Sequence, residues 1–288
     1  MPGQNTSGTP NTEDYTLGRG RIFAAPIDAT TGRPLGYRFL GNAPAVTSNI
    51  STETLEHQAS TGGLKNTDKE IVISVTPTLN FTLDEINAEN LKSFFLGESN
   101  YEYVNVAAAG FAQYEMIAPA DFEGGRSYDI VNSLGELAMG VQGTDLTVVA
   151  GGTTLVLNTD YTFDYEEGVA TQSEMGQIFF IADSPAVIAA KAANEGIDVT
   201  LAANGAAKDI ELIDGLKTTG ETLAILFIQE NPASADAKLR FEFHSVNVKP
   251  DGDFSGIGDD WSTLQYTGKM EKNSKLGGKI LSIKRLAA

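Results

Sequence analysis

Histidine is the side chain best suited to acid–base chemistry near neutral pH, and the chain has two, His57 and His244. His57 follows Glu56 in a polar stretch, and His244 lies in a run with the composition of a strand. Neither stands in an HExxH sequence or a recognisable Ser/His/Asp pattern, so we predict structural or surface roles for both. The chain has no cysteine, which excludes disulfides, thiolate metal sites and thiol nucleophiles.

The stretch that begins at Asp251 imitates a calcium-binding EF-hand loop. It offers oxygen ligands at positions 1, 3 and 5, glycine at position 6, and Asp259 at position 9. Position 12 is Ser262, where a bidentate glutamate is required, and strand-like rather than helical sequence flanks the loop. A polar turn between two strands is therefore favoured, although the sequence leaves open whether residues 251–259 bind a cation.

Other catalytic patterns are also missing from the sequence. No GxxxxGK[ST] phosphate loop occurs, and Gly18-Arg19-Gly20 lacks the third glycine of a dinucleotide loop. The acidic pairs Glu166-Glu167 and Asp259-Asp260 are adjacent, so an extended backbone would point their side chains in different directions. We predict no cofactor and no enzymatic activity.

Charge is unevenly distributed along the chain, whose formal net charge is −18. This excess of acidic residues argues against nucleic-acid binding, which depends on lysine and arginine. Residues 107–215 hold 17 acids and three bases, whereas six bases and one acid, Glu271, follow from Lys269 onward. The basic tail would either contact an acidic neighbouring copy or be a solvated terminus.

Nothing in the sequence indicates secretion or membrane insertion. The first 12 residues are polar and lack the features of a signal peptide. The longest apolar run, residues 223–228, is far shorter than the roughly 20 residues of a membrane-spanning helix. We expect a soluble protein without a membrane partner.

The clearest secondary-structure signal is the alternation of apolar and polar residues over 70–83, which predicts a strand with one buried and one wet face. Pro77 cannot donate a ladder hydrogen bond, so it should lie at a bulge or an edge. A helix is predicted over 85–96, with Thr82 or Asp84 as its cap and Gly97 at its end.

Further strands are predicted on both sides of this region. Residues 17–26 and 35–41 form a predicted hairpin, and 49–69 are either a long loop or an extended hairpin tip. Later strands are predicted at 223–228, 238–248 and 262–270, with a bulge near His244 and Ser245 where the apolar phase switches. We predict a flexible arm at 1–14, a β-sandwich core at 15–106 and 216–274, an acidic β-rich insertion at 107–215, and a basic arm at 275–288.

Several stretches, taken in order, resemble the major tail tube proteins of siphophages. They are LGRGRIFA at 17–24, RFLGNAP at 38–44, STETLEHQASTGGL at 51–64, FEFH at 241–244, DGD at 251–253 and DWSTL at 260–264. The resemblance covers residues 15–105 and 215–275 and depends on the order of the stretches. The insertion at 107–215 departs from the pattern.

The resemblance implies a mainly all-β fold, namely a tail-tube β-sandwich with one flanking α-helix and a long stacking loop. It also implies a structural subunit whose hexameric rings stack around a channel for DNA during genome ejection. Its partners would be further copies of itself, tail terminator and distal tail proteins, a tape measure protein inside the tube during assembly, and DNA in transit without specific binding. It would be found in the virion, and in the host cytoplasm during assembly.

The other functions considered are a capsid decoration or spike protein, then a carbohydrate-binding adhesin module, and last an enzyme. A tube subunit should polymerise into hollow filaments, whereas the others should stay discrete.

On the tube hypothesis, three groups of residues receive roles. Those lining an acidic or neutral channel are Glu70, Ser74, Thr76, Thr78, Asn80, Glu242, Thr263, Gln265 and Thr267. Those contacting the next ring are Ser51, Glu53, Leu55, His57, Gly62, Gly63, Leu64 and Lys65. The assembly arm contributes Lys275, Lys279, Lys284 and Arg285. We also expect Arg240 to pair with a carboxylate, and the insertion to lie outside the tube.

Overall fold

A computed structural model describes residues 17–59, 63, 65–103, 105–164, 169–205, 210–230, 232 and 238–285. The fold is mainly all-β with antiparallel sheets and little helix, which confirms the predicted fold class. The chain divides into two compact units, which we call unit 1 (Met1–Ser99 with Ile213–Ala288) and unit 2 (Asn100–Leu212). The predicted insertion, residues 107–215, corresponds to most of unit 2.

The elements are numbered in chain order. The strands are β1 (Arg19–Pro26), β2 (Arg38–Phe39), β3 (Ala45–Ala59), β4 (Asn66–Leu83), β5 (Glu98–Tyr103), β6 (Phe111–Ile117), β7 (Ser127–Asp129), β8 (Val141–Gln142), β9 (Leu146–Ala150), β10 (Thr153–Thr154), β11 (Tyr161–Phe163), β12 (Gln172–Ser173), β13 (Gln177–Phe180), β14 (Ile197–Leu201), β15 (Ile210–Asp214), β16 (Glu221–Glu230), β17 (Leu239–Pro250), β18 (Leu264–Met270) and β19 (Leu281–Arg285). The α-helices are α1 (Ala88–Phe94), α2 (Val106–Ala109) and α3 (Pro185–Ala192), and a short 3-10 helix spans Ser274–Leu276. In the described ranges, no helix has the length and apolar character needed to span a membrane.

Unit 1 contains one eight-stranded sheet in the order β2-β1-β16-β17-β18-β4-β3, with β19 also paired to β17. Two strands share one edge of β17 because β19 pairs with its first half and β18 with its second half. Between these halves, His244 and Ser245 lie opposite the single residue Ala224, since Leu223 pairs with Val246 and Ile225 with Phe243. The predicted bulge is confirmed.

The core of unit 1 lies on one face of this sheet. Ala24 of β1 and Phe81 of β4 both line a cavity of about 250 Å³. In a flat sheet these strands, with three others between them, would stand about 19 Å apart at 4.8 Å per strand. The sheet therefore curves around its core in a sandwich-like manner. Tyr266 stacks on Phe81 at 4.9 Å between ring centroids, and Phe94 of α1 meets Tyr266 edge-on at 5.8 Å.

Helix α1 is shorter than predicted and begins later, at Ala88 rather than residue 85. Its cap is Asn87, whose Oδ1 accepts a hydrogen bond from the Asn90 backbone N at 2.9 Å, and neither Thr82 nor Asp84 has this role. The reason is a non-local one. The Asn90 side chain donates to the carbonyls of Leu40 and Glu85, at 2.8 and 2.9 Å, and so holds the preceding segment against β2.

The stability of unit 1 should be sensitive to substitution of Asn90, because its side chain is buried and fully hydrogen-bonded. Its Oδ1 also accepts a hydrogen bond from Arg38 Nη1 at 3.0 Å. We expect Asn90→Ala to destabilise unit 1 by about 1–3 kcal/mol, since buried carbonyls would lose their donor. Urea unfolding measures this cost. Asn49→Ala, at an exposed position on β3, is the matched control and should change stability by less than about 0.5 kcal/mol; equal effects would contradict the prediction.

Unit 2 has a hydrophobic core of its own. It contains a four-stranded sheet, β10-β9-β14-β6, and a three-stranded sheet, β11-β13-β7. Phe122, Phe163 and Phe180 are completely buried, and the rings of Phe122 and Phe180 meet edge-on at 5.1 Å. Helix α3 begins at its cap Ser184, whose hydroxyl also donates to buried Asp160 at 2.6 Å. Unit 2 thus has what an independently folding domain requires.

Candidate functional site

The most unusual feature of unit 1 is a long ribbon that we call the hairpin arm, residues 50–59 of β3 and 66–77 of β4. The ladder between β4 and β18 ends at the pair Thr78 and Lys269, so beyond it the described strands β3 and β4 pair with each other alone. Pro77 has no N–H and lies where the ladder ends, which confirms its predicted edge position. Ten or more residues per strand give the arm a reach of roughly 35 Å.

The arm decides between the two interpretations of residues 49–69. The extended hairpin is correct and the long loop is wrong, because paired residues continue to Ala59 and Asn66. Of the predicted contact residues, Ser51, Glu53, Leu55 and His57 lie on β3, and Gly63 and Lys65 lie between β3 and β4, all of them exposed. Gly62 and Leu64 lie outside the described residues.

Apolar side chains on the arm are exposed on both faces. The exposed fractions run from 47% at Ile71 to 63% at Ile50. The other members are Leu55, Val72, Ile73 and Val75. The predicted buried face of residues 70–83 is therefore confirmed only for Leu79, Phe81 and Leu83, and is wrong for the outer half of the strand. Contiguous exposed apolar surface of this kind marks an interaction site.

A register shift inside the arm changes which residues share a face. Glu53 pairs with Ser74, but the next residue, Thr54, pairs with Val72, so Ile73 is an extra residue on β4. Because side chains alternate, one extra residue reverses the faces beyond it. Glu70 therefore lies on the opposite face from Ser74, and the prediction that it lines the same surface is wrong.

The remaining polar residues of β4 and β18 do lie together, on the face opposite the core. Thr78 and Asn80 are joined there by Thr267, whose hydroxyl donates to Asn80 Oδ1 at 2.8 Å. The pairing also places Thr76 and Gln265 on this face, and Thr263 lies just before β18. We call this surface the polar face.

Two lysines, missing from the predicted lining, also belong to the polar face. Lys269 pairs with Thr78, and Lys249 pairs with Thr267. Their position follows from register, which the alternation of each strand alone does not reveal.

Glu242 lies on the same side of the sheet as the polar face, opposite the core, where it belongs to an ion-pair cluster on β17 and β19. Its Oε1 accepts from Arg240 Nε at 2.6 Å and from Lys284 Nζ at 2.9 Å, and its side chain is 13% exposed. The expected pairing of Arg240 with a carboxylate is confirmed. Burial alone would raise the pKa of Glu242, but the hydrogen bonds from Lys284 and Arg240 outweigh it and lower that pKa below its ordinary value.

The same cluster corrects the predicted basic arm at 275–288. Residues 281–285 form β19 within the chain's own sheet, and Lys284 is bound to the chain's own Glu242. Arg285 lies at the end of that strand, while Lys275 and Lys279 are exposed before it. Over residues 281–285 the segment is therefore an integral strand rather than a free arm.

The cluster should make the stability of unit 1 pH-dependent. Because the pKa of Glu242 is lower in the folded state, its contribution is present above the ordinary value of 4.5 and is lost as pH falls through the lowered folded pKa. We expect Glu242→Gln to remove this component of acid destabilisation and to weaken the docking of β19 at neutral pH. Thermal unfolding over this pH range tests it, with Glu271→Gln as the exposed control; identical pH profiles for parent and Glu242→Gln would contradict it.

The candidate chemical groups do not come together. His57 Nδ1 lies 2.6 Å from Asp68 Oδ1 on the exposed arm, whereas His244 Nε2 lies 2.8 Å from the Ser282 hydroxyl and joins β17 to β19. Burial lowers the pKa of His244. Over the part of the chain that the structure describes, no group of three or more His, Asp or Glu side chains is placed to hold a metal ion.

Several polar side chains that line the cavity in unit 1 form bonds within the unit. Arg38 Nε lies 2.8 Å from Glu89 Oε2, and the Tyr266 hydroxyl donates to the Asn90 carbonyl at 2.8 Å. This accounts for those groups as parts of the fold. The exposed apolar side chains of the arm, by contrast, are not covered by any of the residues that the structure describes.

Comparison with known proteins gives one family. The profile described as "Protein of unknown function UCP028589" matches residues 15–282. No curated protein matches the sequence.

Proposed function

We propose that this chain, which belongs to the UCP028589 family, is a structural subunit of a bacteriophage tail tube, in which stacked hexameric rings surround a channel for DNA. The observation that carries the proposal is the hairpin arm. It is a two-stranded ribbon, exposed on both faces and apolar on both, and it extends beyond the core of its own unit.

The arm has the properties of a segment that a neighbour completes. An isolated two-stranded hairpin is marginal in water. Full burial of a Val, Leu or Ile side chain is worth about 1.5–3 kcal/mol, so burying the half-exposed ones would contribute roughly 1 kcal/mol each. Contact with another ring supplies that burial, because each subunit presents its arm to a further copy.

The edges of the sheet in unit 1 suit closure into a ring. Strand β2 covers only Phe23 and Ala24 of β1, and within the described chain the outer edge of β3 has no partner strand. Unprotected edges favour pairing with another chain. A repeated contact between the β1 edge of one copy and the β3 edge of the next is heterologous. Such contacts close into a ring when the rotation between successive copies permits it. The number six comes from the resemblance to siphophage tail tube proteins.

The polar face is the candidate channel lining. Thr76, Thr78, Asn80, Gln265 and Thr267 offer hydroxyl and amide groups that do not hold phosphate as cations do. Lys249 and Lys269 share this face, so the lining we propose is mixed rather than free of bases. Each uncompensated lysine would slow DNA by binding phosphate. We therefore propose that carboxylates of neighbouring copies, such as Glu53 on the same face, compensate them.

The remaining parts of the proposal follow from the tube. Tail terminator and distal tail proteins would contact its ends, a tape measure protein would fill it during assembly, and DNA would pass without specific binding. The protein would be found in the virion, and in the host cytoplasm before assembly. Unit 2, with its excess of acidic residues, would lie outside the tube.

Electron microscopy of the purified chain tests the function directly. We expect hollow filaments of uniform diameter with a regular axial repeat. Discrete small oligomers at every concentration would overturn the proposal. A further binding assay on such oligomers would then separate the alternatives, because a decoration or spike protein should bind capsids and an adhesin module should bind glycan.

A further inference from the structure

The loop between β17 and β18, residues 251–263, presents two of the most exposed large apolar side chains among the described residues. Ile257 is 99% exposed and Trp261 is 93% exposed. Phe254 anchors the loop by packing against Phe94 and Phe95, with ring centroids 6.3 and 5.6 Å apart. The loop contains four aspartates and no base, and we call it the acidic loop.

An apolar groove of about 390 Å³ lies at the base of the hairpin arm. Its lining includes Ile50, Val75, Pro77, Met270 and Leu281. We call it the basal groove. Its volume is ample for one indole side chain, and its walls come from the arm, the end of β18 and the start of β19.

The rim of the basal groove is positively charged. Lys279 lies between Gly278 and Ile280, which both line the groove, and Lys275 lies on the same short connection. Both lysines are exposed, and neither forms a salt bridge with any of the described residues. A basic rim around an apolar groove complements an acidic loop that carries apolar side chains.

The acidic loop and the basal groove lie at opposite ends of β18. Leu264 follows the loop and Met270 borders the groove, so about 20 Å of strand separates them at 3.3 Å per residue. Trp261 is three residues before Leu264, and three extended residues reach only about 10 Å. The loop therefore cannot place Trp261 in its own groove. A second copy displaced along the strand direction can present its loop there.

We propose that the acidic loop of one copy docks in the basal groove of a second copy, with Trp261 in the groove and the aspartates beside Lys275 and Lys279. The contact joins two different surfaces, so it is heterologous and repeats from copy to copy. It rests on the proposed self-assembly, for which it names two surfaces that meet. The apolar fit supplies most of the affinity, because exposed charge pairs are weak and are screened beyond about 8 Å in physiological salt.

Two measurements test this contact on the full chain. Trp261 is the only tryptophan, so selectively excited tryptophan fluorescence reports its surroundings alone. We expect emission to shift to shorter wavelength as the protein associates. The chain has no cysteine, so single cysteines can be placed without background. Gly256→Cys labels the acidic loop and Ser48→Cys labels the basal groove. Ser133→Cys, at an exposed position on unit 2, is the control.

The expected crosslinking pattern is specific. A short bismaleimide should join Gly256→Cys to Ser48→Cys when the two variants are mixed, and should join neither to Ser133→Cys above background. Crosslinks formed only between like variants would overturn the proposal, since they indicate a symmetric contact. So would tubes in which Trp261 emission is unchanged.

The outcomes also separate this contact from the proposed function. Hollow tubes without the specific crosslink would support the proposed tube function and contradict the loop contact. Solid or open chains of copies with the specific crosslink would retain the loop contact and overturn the tube. A chain that stays monomeric at every concentration overturns both.

Discussion

A variant carrying Ile71→Thr, Val72→Thr and Ile73→Thr should fold as the parent does and fail to form tubes at the concentration where the parent assembles. Threonine keeps the branched Cβ that favours a strand, and exposed substitutions rarely change stability by more than about 0.5 kcal/mol each. Assembly should suffer far more, because each of the three half-exposed side chains would lose roughly 1 kcal/mol of burial against a neighbour.

A total of about 3 kcal/mol per subunit corresponds to roughly a hundredfold higher concentration for assembly. Sedimentation of tubes over a concentration series measures it, and none of the three positions lines the basal groove. The matched control carries Val156→Thr, Val169→Thr and Ile188→Thr, at exposed positions on unit 2. Equal loss of assembly in both variants, or normal tubes from the arm variant, would refute the role of the arm.

Removing unit 2 should leave a unit 1 that folds and assembles. The chain enters and leaves unit 2 through β5 and β15, which pair with each other. Just before and after them, the Leu216 backbone N donates to the Phe95 carbonyl at 2.8 Å and that of Lys217 to the Leu96 carbonyl at 2.9 Å. Replacing residues 100–212 by a two-residue Asn-Gly turn joins ends that already lie together.

We expect the shortened chain to give tubes with the parent's bore and a smaller outer diameter. Residues 100–212 alone should be a folded monomer, since the unit has its own core. Circular dichroism checks both folds, and electron microscopy compares the tubes. A wider bore in the shortened tubes would contradict the external placement of unit 2, and an unfolded remainder would contradict the independence of the two units.

The sequence predicted a strand well wherever one of its faces is buried. The change of apolar phase after Phe243 located the bulge at His244 and Ser245, because side chains on both sides of it must reach the core. The extra residue at Ile73 gave no such signal. On the arm neither face is buried, so apolar residues can occupy successive positions. The run Ile71, Val72, Ile73 therefore does not indicate which side chains share a face.

Non-local hydrogen bonds account for other errors. Nothing near residues 85–87 indicates that the Asn90 side chain will hold the Glu85 carbonyl and delay the start of α1. In the same way, the bases after Lys269 have the composition of a solvated tail, yet β19 is fixed by pairing with β17, which is some 40 residues away along the chain. The placement of Lys249 and Lys269 beside the threonines of the polar face likewise required the register between strands.

The arm contains two extra residues rather than one, since Asp68 is unpaired between the pairs His57 with Lys69 and Gln58 with Thr67. Each such residue increases the local right-handed coiling of a ribbon. Each face of the arm therefore rotates about the long axis of the arm from its base to its tip. The exposed apolar side chains consequently point in different directions along its length. A flat surface could touch such a ribbon at only one place. A partner that covers the whole arm must follow this twist. The binding surface on a neighbouring subunit should therefore be an oblique, curved groove rather than a straight one.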